Sequence, residues 1–138
     1  MQFNYLPAIY AQIALFHGDT ARTVELLQAS SPYELGIATS SNYSTYMYPA
    51  YVRGQALLVQ HQGAAAAAEF EKILNWPGVV SNEPIGALVR LQLARARAMN
   101  GETAEARAAY NSFLSLWTNA DPDIPILIAA KAEYAKLK

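Results

Sequence analysis

The chain has 138 residues, a formal net charge of −1 and no cysteine, which suits one domain or a short repeat array and excludes disulfides, thiolate metal sites and a cysteine nucleophile. Charged residues make up 15% of the chain against about 25% in an average soluble domain, and no basic face for nucleic acid emerges. The low charge and the alanine content imply either a face covered by a partner or a second copy, or alanines used in close helix–helix contacts.

No apolar run approaches the roughly 20 residues that span a bilayer, so no membrane insertion is expected. The start lacks a basic leader and carries Asn4, Pro7 and Gln12, unlike a signal peptide. Residues 5–17 are apolar at Leu6, Ile9, Ile13 and Phe16, a helical spacing with Pro7 in the first turn. Gly18-Asp19 breaks it. Thr20–Ala29 resumes with Val24, Leu26 and Leu27 until Ser30-Ser31-Pro32. Residues 33–49 hold Tyr33, Tyr43, Tyr46 and Tyr48 among serines and fit no period, so a loop is expected, with a helical turn near 32–37. Its tyrosines either form a stacking or peptide-binding platform or pack the loop onto the helices.

A helix follows over 51–62, with Val52, Ala56, Leu57 and Val59 on its apolar side, and Gly63 is read as its turn. The Ala64–Ala68 run leads into Phe70, Ile73 and Leu74 and stops at Trp76-Pro77-Gly78. After a linker at 79–84, with Ser81 or Asn82 as cap and Pro84 in the first turn, a helix is expected over 86–99. Asn100-Gly101 turns into a helix over 103–117. Asp121 caps a final helix over 124–137, with Pro122 just inside it, and Lys131, Lys136 and Lys138 crowd its end, as the helix dipole favours.

The chemistry-bearing residues form no catalytic set. His17 and His61 each end the first helix of a pair, where the dipole favours them; the sharper reading is a ligand or acid–base couple. Asp121 and Asp123 lack the neighbouring oxygen ligands that calcium needs. No serine stands in a nucleophile elbow, and Glu69 and Glu71 point to different helix sides. No catalytic residue, metal or cofactor is expected.

Three turns are alike: Gly18-Asp19, Gly63 and Asn100-Gly101. Each follows a helix with a small residue (Ala11, Gly54 or Ala56, Ala94). Each precedes a helix with a small and then a bulky residue (Thr23 and Leu27, Ala66 and Phe70, Ala106 and Tyr110). On these residues the chain resembles a tetratricopeptide repeat protein, whose period is about 34 residues, with the excess length in the linkers. The fold class so implied is all-α: antiparallel helix-pair repeats in an α-solenoid. Three degenerate repeats would span about 5–30, 49–75 and 84–117, with a Tyr/Ser-rich linker at 31–48 and a capping helix at about 122–137. Position eleven of the motif, usually aromatic, holds Ala14, Leu57 and Arg97.

The stretch from Leu91 through Ala106-Arg107-Ala108-Ala109-Tyr110, Phe113-Leu114 and Leu116-Trp117 to Asp121-Pro122-Asp123-Ile124-Pro125 is similar to the C-terminal repeats of bacterial eukaryotic-like serine/threonine kinases. That resemblance implies a non-catalytic appendage of a larger signalling protein; the alternative is a native short reading frame, cytoplasmic if it stands alone. No kinase motif occurs in these residues.

The resemblance also implies a concave surface carried by the first helix of each repeat: Tyr5, Ala8, Gln12 and Phe16; Tyr48, Tyr51, Gln55 and Val59; Leu88, Leu91, Arg95 and Met99. Of these, Tyr5, Gln12, Tyr48, Tyr51, Gln55, Arg95 and Met99 are the candidate partner-binding residues. Gln12 and Leu88 replace the Asn and Lys with which chaperone-binding members hold a C-terminal carboxylate, which argues against that ligand. The expected function is a protein- or peptide-binding scaffold. The alternatives are a self-association module, suggested by the low charge, the alanine run and the tyrosine loop, and, remotely, an α-helical enzyme.

Overall fold

The computed structural model describes residues 5–35, 47–80 and 83–137. Those residues form eight α-helices and one 3-10 helix, with no strand among them. In order these are α1 (Tyr5–Phe16), α2 (Thr20–Leu27), the 3-10 helix (Gln28–Tyr33), α3 (Tyr48–Val59), α4 (Gly63–Leu74), α5 (Pro77–Val80), α6 (Ile85–Met99), α7 (Thr103–Leu116) and α8 (Pro125–Lys136). The all-helical class expected from the periodicity holds. Helices α1 and α2, α3 and α4, and α6 and α7 pack as consecutive pairs. Helix α3 also touches α1 and α6, α2 touches α3, α4 touches α6, and α8 lies on α7.

Several boundaries differ from the sequence reading. Helix α2 does not break at Ser30-Ser31-Pro32 but passes directly into the 3-10 helix, which contains Pro32. Proline's fixed φ of about −65° falls within the range of a 3-10 turn, and the helix ends one residue later. The stop expected at Trp76-Pro77-Gly78 and the first residues of the linker expected at 79–84 instead form the short α5. Helix α6 starts at Ile85, with Pro84 as its cap residue. Helix α8 starts at Pro125 behind Ile124, whose extended backbone leads the chain in, so Asp121 does not cap it. Ser81, Asn82, Tyr43 and Tyr46 lie outside the described residues.

Three connections share one hydrogen-bond pattern. After α1, Gly18 N–H donates to Leu15 O (2.9 Å) and Asp19 N–H to Ala14 O (2.9 Å). After α3, His61 N–H donates to Leu58 O (3.0 Å) and Gln62 N–H to Leu57 O (2.9 Å). After α6, Gly101 N–H donates to Ala98 O (3.1 Å) and Glu102 N–H to Arg97 O (2.9 Å). Each is a Schellman closure, which satisfies the last carbonyls of a helix and needs a left-handed residue at its centre. Those residues are Gly18 (φ 80°), His61 (φ 57°) and Gly101 (φ 77°). The middle turn therefore corrects the sequence reading: its left-handed residue is His61, and Gly63 is the first residue of α4. Glycine is needed at 63 for another reason. A Cβ there would stand 2.8 Å from the Ala96 carbonyl oxygen of α6.

Counted from these three residues, the small and bulky positions fall into one register. Seven residues earlier stand Ala11, Gly54 and Ala94; five later, Thr23, Ala66 and Ala106; nine later, Leu27, Phe70 and Tyr110. All nine are buried. Small side chains let two helices approach, and the bulky residue fills the space beyond them. Phe70 occupies the notch above Gly54, with Tyr51, Ile73 and Val89 in the same cluster. Tyr110 and Phe113 join Leu91, Ala94 and Ala130 in a second. Ala8, Ala11, Leu27 and Val52 form a third. Burying one such side chain contributes about 1.5–3 kcal/mol.

Helix α1 turns its small residues inward. Ala8 and Ala11 are buried, whereas the apolar stripe Leu6, Ile9, Ile13 and Phe16 faces outward. Thr23 explains the close approach: its hydroxyl donates to Asp19 O (2.8 Å) and lies 3.3 Å from Ala11 O, which fixes α2 against α1.

Candidate functional site

The first turns of α1 and α3 lie side by side and enclose a cleft of about 500 Å³. Ala8 and Val52 contribute its small and apolar lining, which leaves the space open. Tyr5, Tyr48 and Tyr51 line it with rings, Ile9 adds an apolar wall, and Gln12 and Glu83 bring the polar groups. Of the seven candidate residues, Tyr5, Gln12, Tyr48 and Tyr51 meet in this cleft. Three others are elsewhere. Gln55 lies one turn along α3, and its Oε1 is buried without a hydrogen-bond partner among the described residues. Met99 is exposed at the end of α6. Arg95 is held within the chain.

The tyrosines are fixed by hydrogen bonds at their tips. Tyr48 OH donates to Glu83 Oε2 (3.0 Å). Burial, followed by that bond and the charge of Glu83, pushes the Tyr48 phenol up to about 12, so it remains a donor at neutral pH. Tyr51 OH accepts from Gln92 Nε2 (3.4 Å). Its phenol is also raised by burial, against the opposing effects of Gln92 and Arg95. Both rings line the cleft with their hydroxyls occupied.

Glu83 is the residue that sequence reasoning missed. It precedes Pro84 at the head of α6, and only the packing of α6 on α3 carries it to Tyr48. Among the described residues it is the one charged side chain lining the cleft. The arrangement suits an apolar group inserted between tyrosine rings, with a cation beside the carboxylate. A cation there gains both the Glu83 charge and the ring faces.

Arg95 belongs to a network that joins three helices. Its Nε and Nη2 each donate to the Glu133 carboxylate at 2.8 Å. Tyr110 OH donates to Glu133 Oε2 (2.8 Å), and Arg95 Nη1 donates to Gln92 Oε1 (3.4 Å). The Arg95 bonds hold the Glu133 carboxyl below its ordinary range against burial, with Tyr110 adding to them. Burial and the Glu133 bond raise the Tyr110 phenol.

A second buried network was not visible in the sequence. Arg53 donates to Glu34 Oε1 (2.5 Å), to Glu69 Oε2 (3.0 Å) and to Leu27 O (3.4 Å). Lys72 closes the group by donating to Glu34 (3.3 Å) and Glu69 (3.0 Å). Burial works to raise the Glu69 carboxyl, but Arg53 and Lys72 outweigh it and hold it low. The group ties α3, α4 and the end of the 3-10 helix together.

Among the described residues, no three His, Asp or Glu side chains come together as metal ligands, and no helix is long and apolar enough to cross a membrane. His17 and His61 are exposed beyond the ends of α1 and α3, in different helix pairs. Comparison with protein-family models, with curated proteins and with solved structures gives no match to this chain.

Proposed function

We propose that the chain is a non-catalytic, peptide-binding scaffold built from three tetratricopeptide-like helix pairs and closed by α8. The pairs are α1 and α2, α3 and α4, and α6 and α7. The reading rests on the three equivalent Schellman turns, each with its small residue seven before, small residue five after and bulky residue nine after. On the same reading the chain is the C-terminal, protein-recognising part of a larger bacterial signalling protein such as a eukaryotic-like serine/threonine kinase. The binding element is the cleft between α1 and α3. Its partner is a peptide with an apolar anchor next to a lysine or arginine.

The observation that carries the partner chemistry is the combination, among the described residues, of Tyr5, Tyr48 and Tyr51, an apolar lining and the carboxylate of Glu83 in one cleft. Selection from a displayed random-peptide library should return sequences with that pairing of apolar and basic residues. Tyr48→Ala should weaken the selected peptides about tenfold or more, which corresponds to about 1.4 kcal/mol. Glu83→Gln should remove the preference for the cation while leaving anchor binding. Selected peptides that bind both variants as well as the parent chain would place recognition elsewhere.

A further inference from the structure

Helix α1 carries a surface that none of the described residues covers. Leu6 is 43% exposed, Ile9 53%, Tyr10 57%, Ile13 51% and Phe16 85%. At about 200 Å² for a large side chain, these exposures leave roughly 600 Å² of contiguous apolar surface on twelve residues of helix. That is the upper end of what a monomer ordinarily shows.

The spacing is as informative as the area. Leu6, Ile9, Ile13 and Phe16 stand at intervals of three, four and three residues. They thus occupy consecutive a and d positions of two heptads, the narrow seam of a coiled coil and not the broad face of a core helix. The buried side of α1, Ala8 and Ala11, lies on the opposite flank. The helix therefore has one face for its own fold and a second, complete seam for another helix.

We infer that the occupant is α1 of a second copy of this chain, packed antiparallel across a twofold axis. In an antiparallel pair an a residue faces a d residue. Here that places Leu6 opposite the other copy's Phe16, and Ile9 opposite its Ile13. Both layers are satisfied by the same axis, level with residue 11, so the seam is complementary to itself, as a twofold interface requires. Charge agrees with this: α1 contains no charged residue. Two copies therefore meet without burying a charge or opposing like charges. Pairing would bury about 1,200 Å² in all, the lower end of the range for stable interfaces. The alanine run does not compete for this role, because Ala66 and Ala67 are already used inside the chain.

The dimer goes beyond the peptide-binding reading and is tested separately from it. Sedimentation equilibrium of the purified chain should show a monomer–dimer equilibrium. Ile13→Glu combined with Phe16→Glu should give a monomer with an unchanged helical circular dichroism spectrum, since both positions are exposed and neither lines the cleft between α1 and α3. Orientation is read by cross-linking, which has no background because the chain lacks cysteine. Leu6→Cys mixed with Phe16→Cys should form a mixed disulfide under mild oxidation, whereas each alone should not pair with itself. A chain that stays monomeric at every concentration, or a dimer untouched by the double glutamate variant, overturns the inference. Self-pairing of the single-cysteine variants in place of the mixed product overturns its antiparallel form. Ile9 belongs to both the seam and the cleft wall, so peptide binding is scored on the monomeric double variant, through Tyr48→Ala on α3, and its failure there leaves the dimer result standing.

Discussion

Gly54→Ala is the sharpest test of how the helix pairs fit together. In an exposed helix interior, replacing glycine by alanine stabilises by about 0.5–1 kcal/mol, because the unfolded chain loses freedom and the helix gains a better former. Position 54 should behave oppositely. A Cβ there would fall 2.7 Å from Phe70 Cζ and 2.9 Å from Cδ1, and nearer still to Cε1. Phe70 has no room to yield, being fully buried and packed in the cluster of Tyr51, Ile73 and Val89. Forcing a methyl group into such a site costs about 1–3 kcal/mol. After the propensity gain, a net loss of about 1–2 kcal/mol is expected. Urea unfolding followed at 222 nm should show it as a lower midpoint with the slope unchanged. The clash is with one ring, so Gly54→Ala in a Phe70→Leu background should cost at least about 1 kcal/mol less than in the parent chain. A neutral or stabilising Gly54→Ala would refute the argument. So would strict additivity of the two substitutions, since the notch above Gly54 would then not be what receives Phe70.

His61→Gly should stabilise the chain by about 0.5–1 kcal/mol, because a left-handed L-residue costs roughly 1–2 kcal/mol and glycine returns part of that gain through its unfolded-state entropy; a lower thermal midpoint would contradict the turn. Thr23→Val should destabilise by about 1 kcal/mol in urea by removing the hydroxyl between Asp19 O and Ala11 O. Arg53→Met leaves the buried Glu34 and its neighbour Glu69 without their main counter-charge, and a loss of about 3–5 kcal/mol is expected from chemical unfolding at neutral pH. Glu69 and Glu133 both have folded-state pKa values below their ordinary 4.5. Their contribution is therefore complete above that value and fades as pH falls through the lowered one. The urea midpoint should hold steady near neutrality and drop in acid. Glu133→Gln should flatten that drop, and an equally steep acid dependence in the variant would remove Glu133 from its causes.

Most of the helices were legible because their apolar residues recur at helical spacing and glycines punctuate them. The turns at Gly18 and Gly101 were readable for the same reason. The middle turn misled, since glycine at 63 looks like the left-handed residue of a turn. Its actual role is to admit the Ala96 carbonyl of α6, a long-range requirement that local sequence does not display. His61 gave no comparable signal, because a non-glycine residue at positive φ is uncommon and the neighbouring glycine is the stronger local cue. Similarly, Asp121 has the side chain of a cap but stands four residues before α8 begins. The Arg53 network was invisible because Glu34 reaches it from the end of the 3-10 helix, across a connection whose length carries no periodicity.

The candidate site divides along the same line. Tyr5, Gln12, Tyr48 and Tyr51 could be placed together from their positions in successive first helices, since that relation repeats with the pairs. Arg95 occupies the corresponding position on α6, yet α8 brings Glu133 to it, and the carboxylate takes the Nε and Nη2 edge of its guanidinium. Identical register does not ensure identical exposure when the last pair meets a different neighbour. The α1 stripe makes the converse point. A helical apolar period shows that a helix has a partner, but it does not say whether that partner is in the same chain. Here Ala8 and Ala11 took the in-chain contacts because small residues let α2 and α3 come close. Leu15 joins them there, whereas Leu6, Ile9, Ile13 and Phe16 stay exposed in an a and d pattern, and that division is what the proposed second packing surface on α1 rests on.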